Sequence, residues 1–146
     1  MRPDQLKRFA LLAQMNHDDR EALAELLEER KLPNGKSAFR EGAESEGLLL
    51  LAEGRMKLKS RRTGEVVGVL EAPHHLGAGS LFAFGKREVT ALADGPCTVW
   101  LLPRAGLPRL VEDAPRTAFR LAEAVAGELS GMMRQALDVL IESDLR

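Results

Sequence analysis

The sequence predicts a mainly β domain with flanking helices, centred on an antiparallel barrel or jelly roll. Three observations carry this. From residue 37 to residue 103, short apolar or alternating runs recur, each closed by Gly, Pro or Asn, which is the texture of an all-β fold. Amphipathic helical patterns come before that stretch. After Pro115 the turn residues thin out, and a helical pattern runs on to residue 143.

With 146 residues, 45% hydrophobic and 29% charged, the chain reads as one globular domain, 1–146. Its parts are N-terminal helices in 1–30, the β body in 31–104, and a short helix plus a long C-terminal helix in 105–146. A net charge of −1 gives no overall basic field for nucleic acid. The single cysteine, Cys97, excludes an internal disulfide and lies in the apolar run PCTVWLL, so it reads as a small buried hydrophobe. No apolar run approaches the roughly 20 residues needed to span a membrane, and no signal peptide is evident. The expected location is the cytoplasm.

Residues 4–15 are amphipathic, with Leu6, Phe9, Leu12 and Ala13 on one side. Asn16 or Asp18 is suited to cap a second helix over 17–29, its apolar positions Leu23, Leu26 and Leu27. Pro33-Asn34-Gly35-Lys36 is a turn, Asn-Gly supplying positive φ. Strands follow at SAFRE, GLLLLAEG, RMKLKSR, VVGVLEA, EVTALAD and CTVWLLP. In RMKLKSR, Met56 and Leu58 alternate with Lys57 and Lys59, the mark of a half-buried strand, whereas the unbroken run of leucines at 48–51 predicts a buried one. Residues 105–112 suit a short helix. Asp113-Ala114-Pro115 is a helix start, Asp as cap and Pro in the first turn. In the long helix over 115–143 only Gly127 and Gly131 lower the propensity, by up to about 1 kcal/mol each. Ala122, Val125, Leu129, Met132, Ala136 and Val139 follow the 3-4 spacing of a helix–helix seam. A second strip, Phe119, Ala126, Met133, Leu137 and Ile141, lies beside it. Two apolar strips need two partners. The β body is one, and a second copy of the helix in a parallel dimer is the expected other; a single wide face on one core is the alternative.

The stretch 76–90, LGAGSLFAFGKREVT, is the candidate site. Gly77 and Gly79 break the strand pattern, a short turn through Ser80, Leu81 and Phe82 follows, and Arg87 comes a few residues later. Backbone N–H groups at a turn with a guanidinium nearby form a cradle for an anion. The cradle sits among short strands, which argues against a dinucleotide fold.

Taken together, this order of elements resembles the cyclic-nucleotide-binding domain, in the form found in CRP/FNR-type bacterial transcription regulators. Glycines like the family's fall at Gly42, Gly54 and Gly77. The family's phosphate-binding cassette, Phe-Gly-Glu, a short helix, then Arg-Ser/Ala-Ala-Thr, is matched here by Leu76-Gly77-Ala78, GSLFAFGK and Arg87-Glu88-Val89-Thr90, without insertion. The resemblance covers essentially the whole chain. It implies an antiparallel β jelly roll (double-stranded β-helix), a long C-terminal dimerisation helix and a homodimer. It also implies an effector site at Gly77, Ala78, Gly79, Ser80, Leu81, Arg87, Glu88 and Val89, lidded by Met132 and Met133.

Three departures bear on the ligand. Ala78 stands where the family's Glu accepts a bond from the ribose hydroxyl, and losing such a charge-assisted bond costs about 1.5–3 kcal/mol. Glu88 replaces a small residue beside the cyclic phosphate; it either repels that phosphate or pairs with Arg87. Met132 and Met133 replace the hydroxyl side chains that face the base, making an apolar, adaptable wall. Cyclic AMP and cyclic GMP are therefore expected to bind weakly or not at all, and the effector is unknown.

A haem-based gas sensor of the same superfamily is a further alternative, with His74 and His75 as ligands and Phe82 and Phe84 against the porphyrin. Gly77 and Gly79 stand where the carbon-monoxide-sensing relatives carry their haem ligands. No Ser-His-Asp set, metal-spaced cysteines or paired carboxylates point to catalysis or to a metal site. Regulators of this type follow the long helix with a helix-turn-helix domain, and this sequence stops about where that domain would begin. The expectation is either a truncated sensory half, which would reach DNA only through the missing domain, or a stand-alone interaction module.

Overall fold

The computed structural model describes residues 1–83 and 85–144. Two short 3-10 turns, Pro3–Arg8 and Ala10–Leu12, precede helix α1, His17–Leu26. The eight strands are β1 Glu28–Leu32, β2 Ser37–Phe39, β3 Gly47–Glu53, β4 Arg55–Lys59, β5 Val66–Glu71, β6 His74–Leu76, β7 Thr90–Ala93 and β8 Cys97–Pro103. Helices α2, Leu107–Asp113, and α3, Pro115–Asp144, complete the chain. The strands form two four-stranded sheets, in the orders β1-β8-β3-β6 and β2-β7-β4-β5. Every pairing is antiparallel.

The run of leucines in β3 has a simple cause. Successive side chains of a strand point to opposite faces, and both faces of β3 and β8 are covered. Leu49 and Leu51, with Val99 and Leu101, point between the sheets and meet Met56, Ala91 and Ala93 of the second sheet. Leu48, Leu50 and Ala52, with Trp100 and Leu102, point the other way and meet the N-terminal turns and helices α1, α2 and α3. Phe9 packs edge-on against Trp100, ring centroids 5.8 Å apart. Fully burying one such leucine contributes about 1.5–3 kcal/mol, so this pair of strands anchors both halves of the core.

Several sequence expectations are corrected. Residues 4–15 form 3-10 turns, not one helix; Phe9, between the two turns, has extended backbone. The helix expected over 17–29 ends at Leu26, and Glu28–Leu32 is a strand. Its side chains are exposed except for Leu32, so its charged, helix-favouring composition conceals a sheet edge pairing with β8. His74–Leu76, not among the expected strands, is a strand on β3. Asp113 is the last residue of α2, not the cap of α3; the carbonyl that starts α3 is that of Ala114, which accepts from the Ala118 N–H. Helix α3 is continuous through Gly127 and Gly131 over 30 residues, about 45 Å at 1.5 Å per residue.

No acidic residue lies in the first turn of α3; Asp19 of α1 supplies that charge. Its side chain, 2% exposed, accepts bonds from Thr117 Oγ1 at 2.6 Å and from Arg120 Nη1 at 2.8 and 2.9 Å. It also accepts from the Asn16 N–H, while Asn16 Oδ1 accepts from the Asp19 N–H, a reciprocal cap for α1. Burial alone would raise the Asp19 pKa. The bonds from Thr117 and Asn16, then the bond and charge of Arg120, outweigh it and hold the carboxyl below its ordinary value.

Asp19→Ala is expected to cost about 2–4 kcal/mol in urea denaturation, since it strips one carboxylate from three donors. Because the folded-state value is depressed, this stabilisation is present above the unfolded value of about 3.9 and is lost as pH falls through the folded one. The gap between parent and variant should therefore close in acid, below roughly pH 4.

Candidate functional site

Strand β6 leads into Gly77, whose left-handed backbone (φ 73°, ψ 34°) turns the chain into the single 3-10 turn Ala78–Leu81. Ala78 and Leu81, 4% and 1% exposed, pin that turn to the core. Arg104 donates from Nη1 to the carbonyls of Ser80 and Ala83, holding the far end of the turn.

Arg87 enters on a second segment, clamped by backbone bonds. Its N–H donates to Ala43 O and its carbonyl accepts from Gly42 N, both at 2.8 Å, while the Ser45 N–H donates to Gly85 O at 3.0 Å. Arg87 is 9% exposed. Its guanidinium carbon stands 4.3 Å from the Phe39 ring centroid, in the range of a cation–π contact, and Nη2 donates to Gly47 O at 3.0 Å. Nη1 lies against Gly77, where an added Cβ would fall 2.1 Å from it. So Gly77 is required twice, for its backbone angle and for the space the guanidinium fills. Burial pushes the Arg87 pKa below its ordinary value, and nearby Glu46 opposes that. Among the described residues no carboxylate forms an ion pair with Arg87. Arg87 Nε and Ser45 Oγ are buried without a hydrogen-bond partner.

These elements border a cleft of about 630 Å³ between the β body and α3. Of the residues singled out in the sequence, Gly77, Ala78, Gly79, Ser80, Arg87, Glu88, Val89 and Met132 line it. Leu81 is turned into the core, and Met133, 67% exposed, is on the outer face of α3 and not over the cleft. Glu88 is exposed and makes no ion pair with Arg87, which overturns the pairing alternative. Sequence reasoning missed Ser45, Phe39, Leu58, Glu128 and Leu129, which also line the cleft. Leu129 was assigned to the dimer seam; it approaches Gly79, 3.9 Å from where that residue's Cβ would be.

The histidines divide. His75 Nε2 is hydrogen-bonded to Glu128 Oε1, tying β6 to α3 across the cleft. His74 is exposed, stacks on His75 with centroids 5.7 Å apart, and its Nδ1 contacts His75 O at 3.0 Å. Two stacked rings cannot flank an iron from opposite sides, and the outward nitrogen of His75 is occupied. The pair does not fit haem; of the two phenylalanines in that expectation, Phe82 is exposed and Phe84 lies outside the described residues.

The seam is corrected by the helix's own packing. Val125 is 2% exposed and packs in the chain's own core, and Ala122 is half-buried. Leu129, Met132, Ala136 and Val139 are exposed. The outward strip is centred on Phe119, Ala126, Met133 and Leu140, seven residues apart.

A second cleft of about 630 Å³ lies between α1, α2 and the start of α3. It holds Asp19 and Arg120, already bonded to each other.

The family model for the cyclic nucleotide-binding domain matches residues 29–114. None of the curated proteins matches the chain. The N-terminal domain of a transcriptional regulator from Streptomyces coelicolor A3(2) has a TM-score of 0.79 at 27% identity, over 94% of this chain and 95% of that one. A cyclic nucleotide-binding domain from Methylobacillus flagellatus KT gives 0.77 at 16%, over 97% and 82%. The catabolite activator protein of Thermus thermophilus gives 0.76 at 23%; the match covers 91% of this chain but 62% of the Thermus protein.

Gly77→Ala should force Arg87 from its seat as well as strain the backbone. The expected loss is about 1–3 kcal/mol in urea denaturation, against less than about 0.5 kcal/mol for Gly85→Ala, where an added Cβ meets nothing within 4 Å.

Proposed function

Since the chain belongs to the cyclic nucleotide-binding domain family, we propose that it is the effector-sensing, dimerising domain of a CRP/FNR-type transcription regulator, with a cleft that does not take cyclic AMP or cyclic GMP in the family's usual manner. The observation that carries this reading is that one helix does two jobs. On one side α3 walls the cleft, through Glu128, Leu129 and Met132. On the other it presents Phe119, Met133, Leu137, Leu140 and Ile141, each more than half exposed. So long a bare apolar strip at heptad spacing suits a second copy of itself. Whatever fills the cleft touches the element through which the pair would communicate. DNA would be reached through a separate helix-turn-helix domain.

The ligand half of the proposal rests on what lines the cleft. Arg87 remains as an anion-binding side chain. Ala78 offers no acceptor to a ribose hydroxyl, exposed Glu88 adds negative charge at the phosphate side, and Met132 gives no donor to a base. None of these residues is a nucleophile or a general base set against a reacting group, and the reading is of a binding domain, not an enzyme.

Two measurements test it. Met133→Glu would bring like charges together at the twofold seam. Sedimentation at tens of micromolar should find a dimer in the parent and a monomer in this variant; a monomeric parent would remove the dimer. In calorimetry, cyclic AMP and cyclic GMP should bind the parent at least tenfold (about 1.4 kcal/mol) more weakly than they bind the double variant Ala78→Glu, Glu88→Ser. Micromolar affinity in the parent would show that these substitutions do not govern binding.

A further inference from the structure

The floor of the cleft holds a cation without a counter-ion. Arg87 is 9% exposed, pairs with no carboxylate among the described residues, and buries Nε without a partner. Ser45 Oγ, on a residue 4% exposed, is likewise unpartnered and borders the same cleft. Buried polar groups are nearly always hydrogen-bonded, so two unmet groups bordering one cleft point to something they bind together. Ser45 is fixed for this: its N–H is already committed to Gly85 O, leaving the hydroxyl as its remaining donor.

The other walls are hydrocarbon: Leu58, Leu76, Val89, Leu129 and Met132. The remaining charges are Lys86, Glu88 and Glu128, and Glu128 is engaged by His75. Two cations face two carboxylates in the cleft, and Glu46 also acts on Arg87, so no excess positive charge is left. A head with one negative charge suits such a site better than a doubly charged phosphate does.

Resting on the effector-sensing reading above, we propose that the cleft binds an organic monocarboxylate with an apolar body, its carboxylate on Arg87 and Ser45 and its body against Leu58, Leu76, Leu129 and Met132. Arg87 offers Nε, which has no partner within the protein, for a charge-assisted bond to the carboxylate. Ser45 Oγ–H donates a further bond to one carboxylate oxygen. The methionine and leucine walls adapt to the shape of the body without asking for hydrogen bonds.

The test is calorimetry on the full chain with octanoate and phenylacetate, their uncharged counterparts octanol and phenylethanol, cyclic AMP and inorganic phosphate. At least one acid should bind, with its alcohol at least about tenfold weaker, because only the acid meets the guanidinium. Ser45→Ala should weaken that acid about five- to tenfold and leave the alcohol unchanged. Arg87→Met, with its fold checked by circular dichroism, should abolish the difference between acid and alcohol; if it does not fold, Ser45→Ala carries the test. Equal binding of acid and alcohol, an unchanged affinity in Ser45→Ala, or no binding by either acid overturns the proposal. Binding of cyclic AMP or inorganic phosphate in preference to the acids also overturns it, yet leaves the sensory reading standing. A parent that binds nothing and sediments as a monomer removes both.

Discussion

Strands β3 and β8 are buried on both faces, and most of the architecture follows from that constraint. A sheet with two apolar faces needs two covers. The second sheet is one; the N-terminal turns and the three helices are the other. This is why the helices are not appendages. Without them Leu48, Leu50 and Trp100 would face water, and the sheet that carries β6 would lose its backing. The Asp19 cluster is the polar complement of that packing, tying α1 to the first turns of α3.

The candidate site sits where these layers meet. β6 hangs on β3, and the turn after it is pinned by Ala78 and Leu81 into the helical side of the core. Arg87 comes from the other direction, held by the loop before β3. The cleft is thus assembled from the segment after β6, the 42–47 loop with its partner segment, and α3, each belonging to a different part of the packing. Its guanidinium is supported by a ring below and a carbonyl beside it, an arrangement that costs solvation and leaves part of its donor set open.

Much of this was legible in the sequence because its signals are local. Leu48 to Leu51 announces a doubly covered strand, Asn34-Gly35 a turn, and Gly77 with Arg87 at the family's spacing a cassette. What was hidden depends on tertiary partners. Glu28–Leu32 has the composition of a helix, and only pairing with β8 makes it a strand. Two apolar strips lie side by side on α3, and periodicity cannot say which residues the chain itself will cover; Val125, read as part of the seam, is claimed by the core. Ser45 gave no signal at all. A serine in a polar loop is ordinary, and its importance comes from burial beside an arginine forty-two residues away in sequence. Glu128 likewise gave no signal; only the fold brings it to His75 of β6.

That last contact has a thermodynamic corollary. The His75–Glu128 bond spans the cleft from sheet to helix, so the position of α3 and the width of the cleft are not independent variables. Linkage then fixes a symmetry: any partner that favours one placement of α3 changes the affinity of the cleft by some factor, and a molecule in the cleft changes the affinity for that partner by the same factor. With the cleft filled and α3 partnered, a bond between one imidazole and one carboxylate would let each influence the other equally in both directions.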